Sequence, residues 1–331
     1  MLIKFKGREV DTKWYTGSVD NQEIQEVRDN YYDSTYEEAI TQLKKLLLHD
    51  GKKTNKIYGY FFEKIAGDGI LWHSKWSINE MLESPEILQS FINRSKSNPK
   101  VFTSKSLTAN VKTAIRLGGK GIVKKLTNFP YKECVKLLKT YTETDSKTYI
   151  DPSCGWGIRM LASAYLDLNY VGFDVNPLLV DKLNDLGKEI QKIKPDWQFR
   201  ILLQGSEIPV MALNNWADIV MTSPPYYDLE NYVNVDNKAL HIEKISYDDW
   251  VKLFVEPMLK QMSNYIKPNG YVLMNVKDFK DYSLVDSFLN AGIKAGLSFY
   301  GYDELKNPIR VSPNQNKFVD SSEKVIVFKK D

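Results

Sequence analysis

Two short stretches combine residue types that do chemistry together: Thr222-Ser223-Pro224-Pro225-Tyr226 and Asp151-Pro152-Ser153-Cys154-Gly155-Trp156-Gly157. In the first, two consecutive prolines cannot donate to a sheet ladder. They force the chain out of the preceding apolar run, Ala217 to Met221, into a rigid extended turn. Their carbonyl oxygens have no competing N–H. A hydroxyl (Ser223) stands just before them and an aromatic ring (Tyr226) just after. That set suits a flat, neutral group carrying an amine, with the ring on its face and the carbonyl and hydroxyl accepting from its NH2. A nucleobase with an exocyclic amino group has this form. A Pro-Pro pair alone also describes an ordinary strand-ending turn, so the upstream stretch decides.

Asp151 to Gly157 follows a short strand, Thr148-Tyr149-Ile150, and precedes a helix. Ligands of open α/β sheets bind at that edge. Gly155 and Gly157 let the backbone approach a ligand closely. The spacing is not the three-glycine dinucleotide fingerprint, and an acid at the loop's start suits a cationic ligand group better than a pyrophosphate. Asp151 meets that group directly or through water. Pro152 and Ser153 complete the loop. Asp174 ends the next strand and offers a carboxylate to both hydroxyls of a ribose, with Val175 beside it to pack on adenine. Ser206, within Gly205-Ser206-Glu207 after the third strand, is placed for the adenine edge; Glu207 reads equally as a cap or a surface residue. These loops describe a pocket for an aminoacyl-adenosine ligand, S-adenosylmethionine.

The 331-residue chain is long enough for more than one domain, and 43% hydrophobic with 26% charged residues excludes wholesale disorder. Its net charge of +3 does not by itself demand a polyanionic partner. The two cysteines, Cys134 and Cys154, and the three histidines have neither metal-ligand spacing nor a disulfide framework. The N-terminus lacks a signal-peptide core, and no run of ~18 apolar residues occurs. A soluble, cytoplasmic protein without a metal is expected.

The elements that must position these loops follow from periodicity. From Lys147 onward strand and helix alternate: helices over Ile158 to Leu168, Pro177 to Ile193, Ser246 to Ile266 and Leu284 to Ala295, strands over 148–150, 170–173, 199–203, 217–221 and 271–276. Two closing strands, 296–302 and 324–328, flank a polar loop, Pro308 to Asp320. Earlier, Tyr36 to His49 reads as a helix, Ile57 to Ile65 as a strand, Trp72 to Trp76 as a turn and Ser77 to Ser90 as a helix. Tyr131 to Tyr141 reads as a helix with Cys134 as core filler. Between Arg94 and Lys125 every charged residue is basic, with hydroxyls interspersed and a Gly-rich turn at Gly118-Gly119-Lys120-Gly121. Lys105, Lys112, Arg116 and Lys120 are the candidate phosphate contacts; a solvated linker is the alternative. Three divisions result: an accessory region 1–100 that is the candidate reader of a target sequence, a basic segment with one helix over 101–146, and a catalytic domain over 147–331.

Asp151 to Gly157, Asp174 and Thr222 to Tyr226 together resemble the cofactor loop, ribose acid and catalytic loop of the DNA amino-methyltransferases, over about residues 120–331. The resemblance implies an α/β fold: a Rossmann-like S-adenosylmethionine methyltransferase sheet, mostly parallel with a C-terminal antiparallel hairpin, here with an N-terminal α+β region. It implies a site-specific enzyme of the restriction–modification kind. Its cofactor is S-adenosylmethionine, its partner DNA, and it acts on cytosine N4 in preference to adenine N6, since the serine form of the loop is commoner among the former. Ser223, Pro224, Pro225 and Tyr226 are then the catalytic residues. The sequence departs from that family at Trp156, where a small residue is commoner, and lacks a large target-recognition domain after the catalytic loop. Methylation of an RNA base such as guanine N2, and a catalytically silent nucleic-acid-binding module, are the other readings. Tyr227, Asp228, Glu230, Asn231 and Tyr232 read as a pocket lining or a polar surface loop. Asn275, Lys277 and Asp278 end the fifth strand on the same sheet edge, which by position alone makes them candidate substrate contacts.

Overall fold

The computed structural model describes residues 1–71, 74–118, 121–123, 128–227, 230–232, 245–278, 281–305 and 323–331. The chain divides into two units. The first comprises Met1–Ala39, Asn55–Thr127 and Asp228–Val235; the second comprises Ile40–Thr54, Asn128–Tyr227 and Asp236–Asp331.

The first unit opens with the hairpin β1 (Leu2–Phe5) and β2 (Arg8–Asp11), turned by Lys6 and Gly7, both at positive φ. Helices α1 (Asn21–Asn30) and α2 (Tyr36–Leu48) follow, the second divided between the units. Residues 57–65 are not a strand: they lie in α3 (Asn55–Phe61) and α4 (Glu63–Ala66). The aromatic and β-branched content suggests β structure, but Ile57, Tyr58, Phe61, Phe62 and Ala66 recur at helical spacing and are all buried. Strand β3 (Gly69–Leu71) pairs antiparallel with Glu230–Tyr232, which is β8 in chain order. The expected helix over 77–90 is two helices, α5 (Ile78–Glu83) and α6 (Pro85–Lys96). Ser77 and Glu80 close a capping box on the first, and Ser84 caps the second just ahead of Pro85. Helix α7 (Leu107–Gly118) buries Val111, Ala114 and Ile115 against a core that includes Trp76, Phe91 and Ile92.

Besides its part of α2, the second unit has α8 (Tyr131–Thr140) and then alternates: β4 (Thr148–Asp151), α9 (Ile158–Tyr165), β5 (Asn169–Asp174), α10 (Pro177–Ile193), β6 (Phe199–Leu203) and β7 (Ala217–Thr222). After β8 come α11 (Tyr247–Trp250), a wide π-type turn over Val251–Val255, and α12 (Glu256–Tyr265). The wide turn sits where Pro257 lacks an N–H and its ring would crowd the preceding carbonyls. Strand β9 (Ile266–Val276), helix α13 (Leu284–Lys294), and strands β10 (Ser298–Leu305) and β11 (Glu323–Lys329) complete it. Strand β9 starts earlier than the expected 271–276 and carries a bulge over residues 267–270. Ala217 pairs with Ile266 and Ile219 with Tyr271, and Asn269 takes a left-handed φ of 66°.

Seven strands form one sheet in the order β10-β11-β9-β7-β4-β5-β6. Pairs β4–β5, β5–β6, β4–β7 and β7–β9 are parallel; β11 is antiparallel to both β9 and β10. Only β11 is therefore reversed, the strict content of the expected closing hairpin. Buried residues run consecutively along β4, β7, β9 and β11, as a sheet covered on both faces requires. Strands β4, β5 and β6 run outward in one direction, and β7 returns to the other side of β4. The strand order reverses at β4/β7, and ligands of open sheets bind outside the carboxyl ends at such a point. Asp151 and Thr222 are the last residues of those two strands.

Among the described residues no helix is long and apolar enough to cross a membrane. Trp72, His73, Gly119, Lys120, Lys124, Lys125, Asp228, His241 and the loop Pro308 to Asp320 lie outside the described residues.

Candidate active site

Tyr149 and Ile150 of β4 pair with Ile219 and Val220 of β7, so the strands end side by side. Thr222 Oγ1 donates to Asp151 Oδ1 at 3.0 Å in a fully buried contact. The loop that opens at Asp151 and the loop that opens at Ser223 thus start from one hydrogen bond.

Asp151 is 0% exposed. Its Oδ2 accepts from Arg159 Nε at 2.9 Å and from the Tyr170 hydroxyl at 2.9 Å, and its Oδ1 also accepts from Ser153 N at 3.3 Å. This inward carboxylate has the surroundings of a brace, where the sequence suggests contact with a ligand, directly or through water. Arg159, on the first turn of α9, is itself 4% exposed. It also donates through Nη2 to the Ser153 carbonyl, and its guanidinium stands 5.3 Å from the centre of the Phe129 ring. Burial pulls its pKa down, but the Asp151 charge and the phenols of Tyr149 and Tyr170 hold it above its ordinary range. Sequence reasoning passed over Arg159; its one signal is an arginine set among the apolar residues Ile158, Met160 and Leu161.

Gly155 and Gly157 have φ of 52° and 70°, in the left-handed region, so each opens the loop as only glycine does without strain. Added Cβ bulk at Gly155 would meet Arg159 Nη2 at 3.6 Å and the Ser153 carbonyl at 4.0 Å. Pro152 is buried and Ser153 half-buried. Cys154 N donates to the Phe173 carbonyl at 2.9 Å, tying this loop to the end of β5. Burial raises both cysteine thiols far above their ordinary range, which makes neither a nucleophile.

Asp174 closes β5. Its Oδ1 accepts from Asn176 N at 2.9 Å, and Asn176 in turn caps α10. Desolvation pushes the carboxyl up to about 6, against the pull of the backbone N–H groups of Asn176 and Val175. Val175 is 39% exposed beside it. After β6, Ser206 is buried with its Oγ unpartnered among the described residues, and Glu207 Oε2 is buried in the same condition. Burial raises the Glu207 pKa. Exposed Ile208 and Met211 complete an apolar rim. A half-buried carboxylate, apolar side chains and two unsatisfied polar atoms suit a nucleoside.

Beyond Thr222, Pro224 is buried and Pro225 exposed, with Ser223 and Tyr226 between those extremes. The Tyr226 hydroxyl donates to the Asn275 carbonyl at 3.1 Å, fixing its ring at the rim. Tyr227 is neither pocket lining nor polar surface. Its ring packs on Tyr247, Trp250 and Tyr282, and its hydroxyl donates to the Ile245 carbonyl at 2.6 Å. Asp278 accepts from Val285 N at 3.0 Å at the start of α13, and Lys277 is exposed. Glu230 to Tyr232 belong to β8 of the first unit.

Of the basic segment, Lys105 and Arg116 are exposed in the first unit. Lys112 pairs with Asp33 at 3.4 Å and lies 5.0 Å from the Tyr31 ring centre. Lys96 pairs with Glu23, and Arg94 stacks over Trp14. Part of the run therefore serves the unit's own fold.

This strand order, with the penultimate strand alone reversed, is the Rossmann-like sheet of the S-adenosylmethionine-dependent methyltransferases. No family model and no curated protein matches the sequence. Among solved structures, the chain is similar to a TehB-like SAM-dependent methyltransferase from Corynebacterium glutamicum, at 16% identity over 60% of this chain and 88% of that one, with a TM-score of 0.38. It is similar to a methyltransferase from Pyrococcus furiosus at 16% identity, over 61% and 83% of the two chains, with a TM-score of 0.39. Magnesium protoporphyrin IX methyltransferase from Synechocystis, solved with SAM bound, gives 9% identity over 61% and 78%, with a TM-score of 0.41. Strand order and the reversed β11 define the fold independently of these superpositions.

Proposed function

We propose that the protein is a site-specific DNA methyltransferase that uses S-adenosylmethionine to methylate an exocyclic base amine, cytosine N4 in preference to adenine N6. The observation that carries this reading is the Thr222–Asp151 hydrogen bond at the point where the strand order reverses, because it starts both loops from one spot on the sheet rim.

The residues suit the cofactor. Asp174 would accept from the ribose hydroxyls, Val175 and Ile208 would pack on adenine, and Ser206 would meet its edge. Gly155 and Gly157 would admit the aminoacyl part against the backbone. The bound cofactor supplies an electrophilic methyl group on sulfonium, so that the S–CH3 bond breaks as the N–CH3 bond forms and the amine sheds a proton to solvent. The chain's own part is to hold the nitrogen. Pro224 C=O and Ser223 Oγ accept from the amine and draw it toward tetrahedral geometry, and Tyr226 stacks on the ring. Positioning supplies most of the acceleration. A duplex base must leave its stack to reach such a rim, at a cost of a few kcal/mol. Exposed Lys105 and Arg116 are the proposed phosphate contacts in the first unit.

Asp174 makes cofactor affinity pH-dependent. A carboxyl raised to about 6 favours the protonated form in the folded protein. Its contribution to stability is complete below the unfolded value of 3.8 and is lost as pH rises through about 6. Ribose hydroxyls donate to the ionised form, so binding works in the opposite sense. Calorimetry is expected to give a constant affinity for S-adenosylmethionine above pH 7, weakening by up to about tenfold per unit below 6. Asp174→Asn should weaken binding at pH 7.5 and flatten that profile.

Duplex DNA and total RNA incubated together with methyl-tritiated S-adenosylmethionine test the substrate class. Label in DNA is expected. Label confined to RNA would overturn the DNA assignment, and absence of cofactor binding would leave the silent nucleic-acid-binding module.

A further inference from the structure

Asn275 stands next to the Ser223 loop and is 2% exposed. Thr222 of β7 is in register with Met274 of β9, which sets Asn275 alongside Ser223. Its Nδ2 lies 2.9 Å from Glu323 Oε2, 3.3 Å from the Tyr226 hydroxyl and 3.4 Å from Ser223 Oγ. A carboxylate oxygen that lies against an amide accepts, so the contact with Glu323 fixes which end of the amide is nitrogen. The other end, Oδ1, is then buried and has no hydrogen-bond partner among the described residues. It belongs to the same planar group whose nitrogen touches two residues of the candidate catalytic loop.

A buried amide oxygen without a donor is uncommon in a folded protein, and it is satisfied when a ligand brings the donor. The group to be held at this rim is an amine with two N–H bonds. We infer that Asn275 Oδ1 is a substrate-recognition acceptor, taking one N–H of the amine to be methylated while the Pro224 carbonyl and Ser223 take the other. This rests on the proposed amine methylation. Glu323, at the start of β11, then acts through Asn275 as a positioning residue: it pins Nδ2 and so keeps the amide from flipping and leaves Oδ1 free to accept.

Oligo(dC) 20-mers test it, one with cytosine and one with N4-methylcytosine at every position; single strands remove the flipping cost. Oligo(dA) and its N6-methyl counterpart form the adenine arm. Affinities are measured by fluorescence anisotropy with S-adenosylhomocysteine present. The wild type is expected to prefer the unmethylated strand of one pair by about tenfold, because methylation removes one of two N–H donors. Asn275→Leu keeps the shape and removes the acceptor. It should bring the two affinities within about twofold while leaving S-adenosylmethionine affinity unchanged. Should that buried substitution impair folding, Glu323→Ala releases the amide from its anchor and should reduce the preference at least threefold. A purely structural Asn275 weakens both oligomers equally and leaves their ratio intact. An unchanged ratio in a folded Asn275→Leu or Glu323→Ala protein overturns the inference alone. A wild type that binds cofactor but transfers no label to any base overturns the amine-methylation reading, and this inference with it.

Discussion

Arg159→Met is expected to destabilise the second unit by about 3 kcal/mol, the lower end of the range for breaking a buried ion pair. The Asp151 carboxylate would lose the charge that compensates it in a site with no solvent access. Three donors remain on it, from Tyr170, Thr222 and Ser153, which is why the loss is not larger. Denaturant unfolding followed by the fluorescence of Trp250, buried in this unit's core, reads the effect. Asp151→Asn in the Arg159→Met background should recover most of the loss, since the amide oxygen can accept from Thr222 and Ser153 N, its NH2 can donate to the Tyr170 hydroxyl, and no lone charge is left. If the double variant is as unstable as the sum of the single ones, the pair is not coupled and Asp151 has some other role. The pair also holds Ser153 through its carbonyl, so the partly recovered double variant should still bind cofactor more weakly than wild type.

Tyr226→Ala is expected to lower kcat/KM for methyl transfer to DNA by roughly 10- to 100-fold, the span of one base–aromatic stack of ~1–3 kcal/mol. Cofactor affinity should stay within about twofold, because Asp174, Ser206 and the Gly155 loop hang from other strands. Tyr226→Phe keeps the ring and loses the hydroxyl contacts at 3.1 and 3.3 Å to Asn275, so its loss should stay below about fivefold. Single-turnover kinetics with labelled cofactor separate the two. Equal damage to cofactor binding and transfer would place the ring on the cofactor side of the rim.

The parallel sheet was legible in the sequence because strands buried on both faces read as short continuous apolar runs between helices. The strand–loop pairs at 151 and 222 were legible for a related reason: glycine, proline and acid at a strand end have few local uses. Residues 57–65 misled because aromatic content and helical spacing point to different elements, and burial followed the spacing. Asn275 was legible only as a residue of the sheet edge that faces substrate, and Arg159 only as an arginine among apolar neighbours. The arginine takes its meaning from Asp151 and the Ser153 carbonyl. The asparagine takes its meaning from Ser223 and Tyr226, in the loop after β7, and from Glu323, at the start of β11. Contacts of that kind come from strand order, which no local window contains.

Mass spectrometry of nucleosides from DNA incubated with the protein and methyl-deuterated S-adenosylmethionine reaches the central claim most directly. A deuterated methyl on cytosine N4 is the expected result, because it requires a sulfonium carbon to meet an extruded amine between the Gly155 and Pro224 loops. N6-methyladenine as sole product would contradict the cytosine preference. Label on a ring carbon, or no label on any base, would contradict the account of the rim itself.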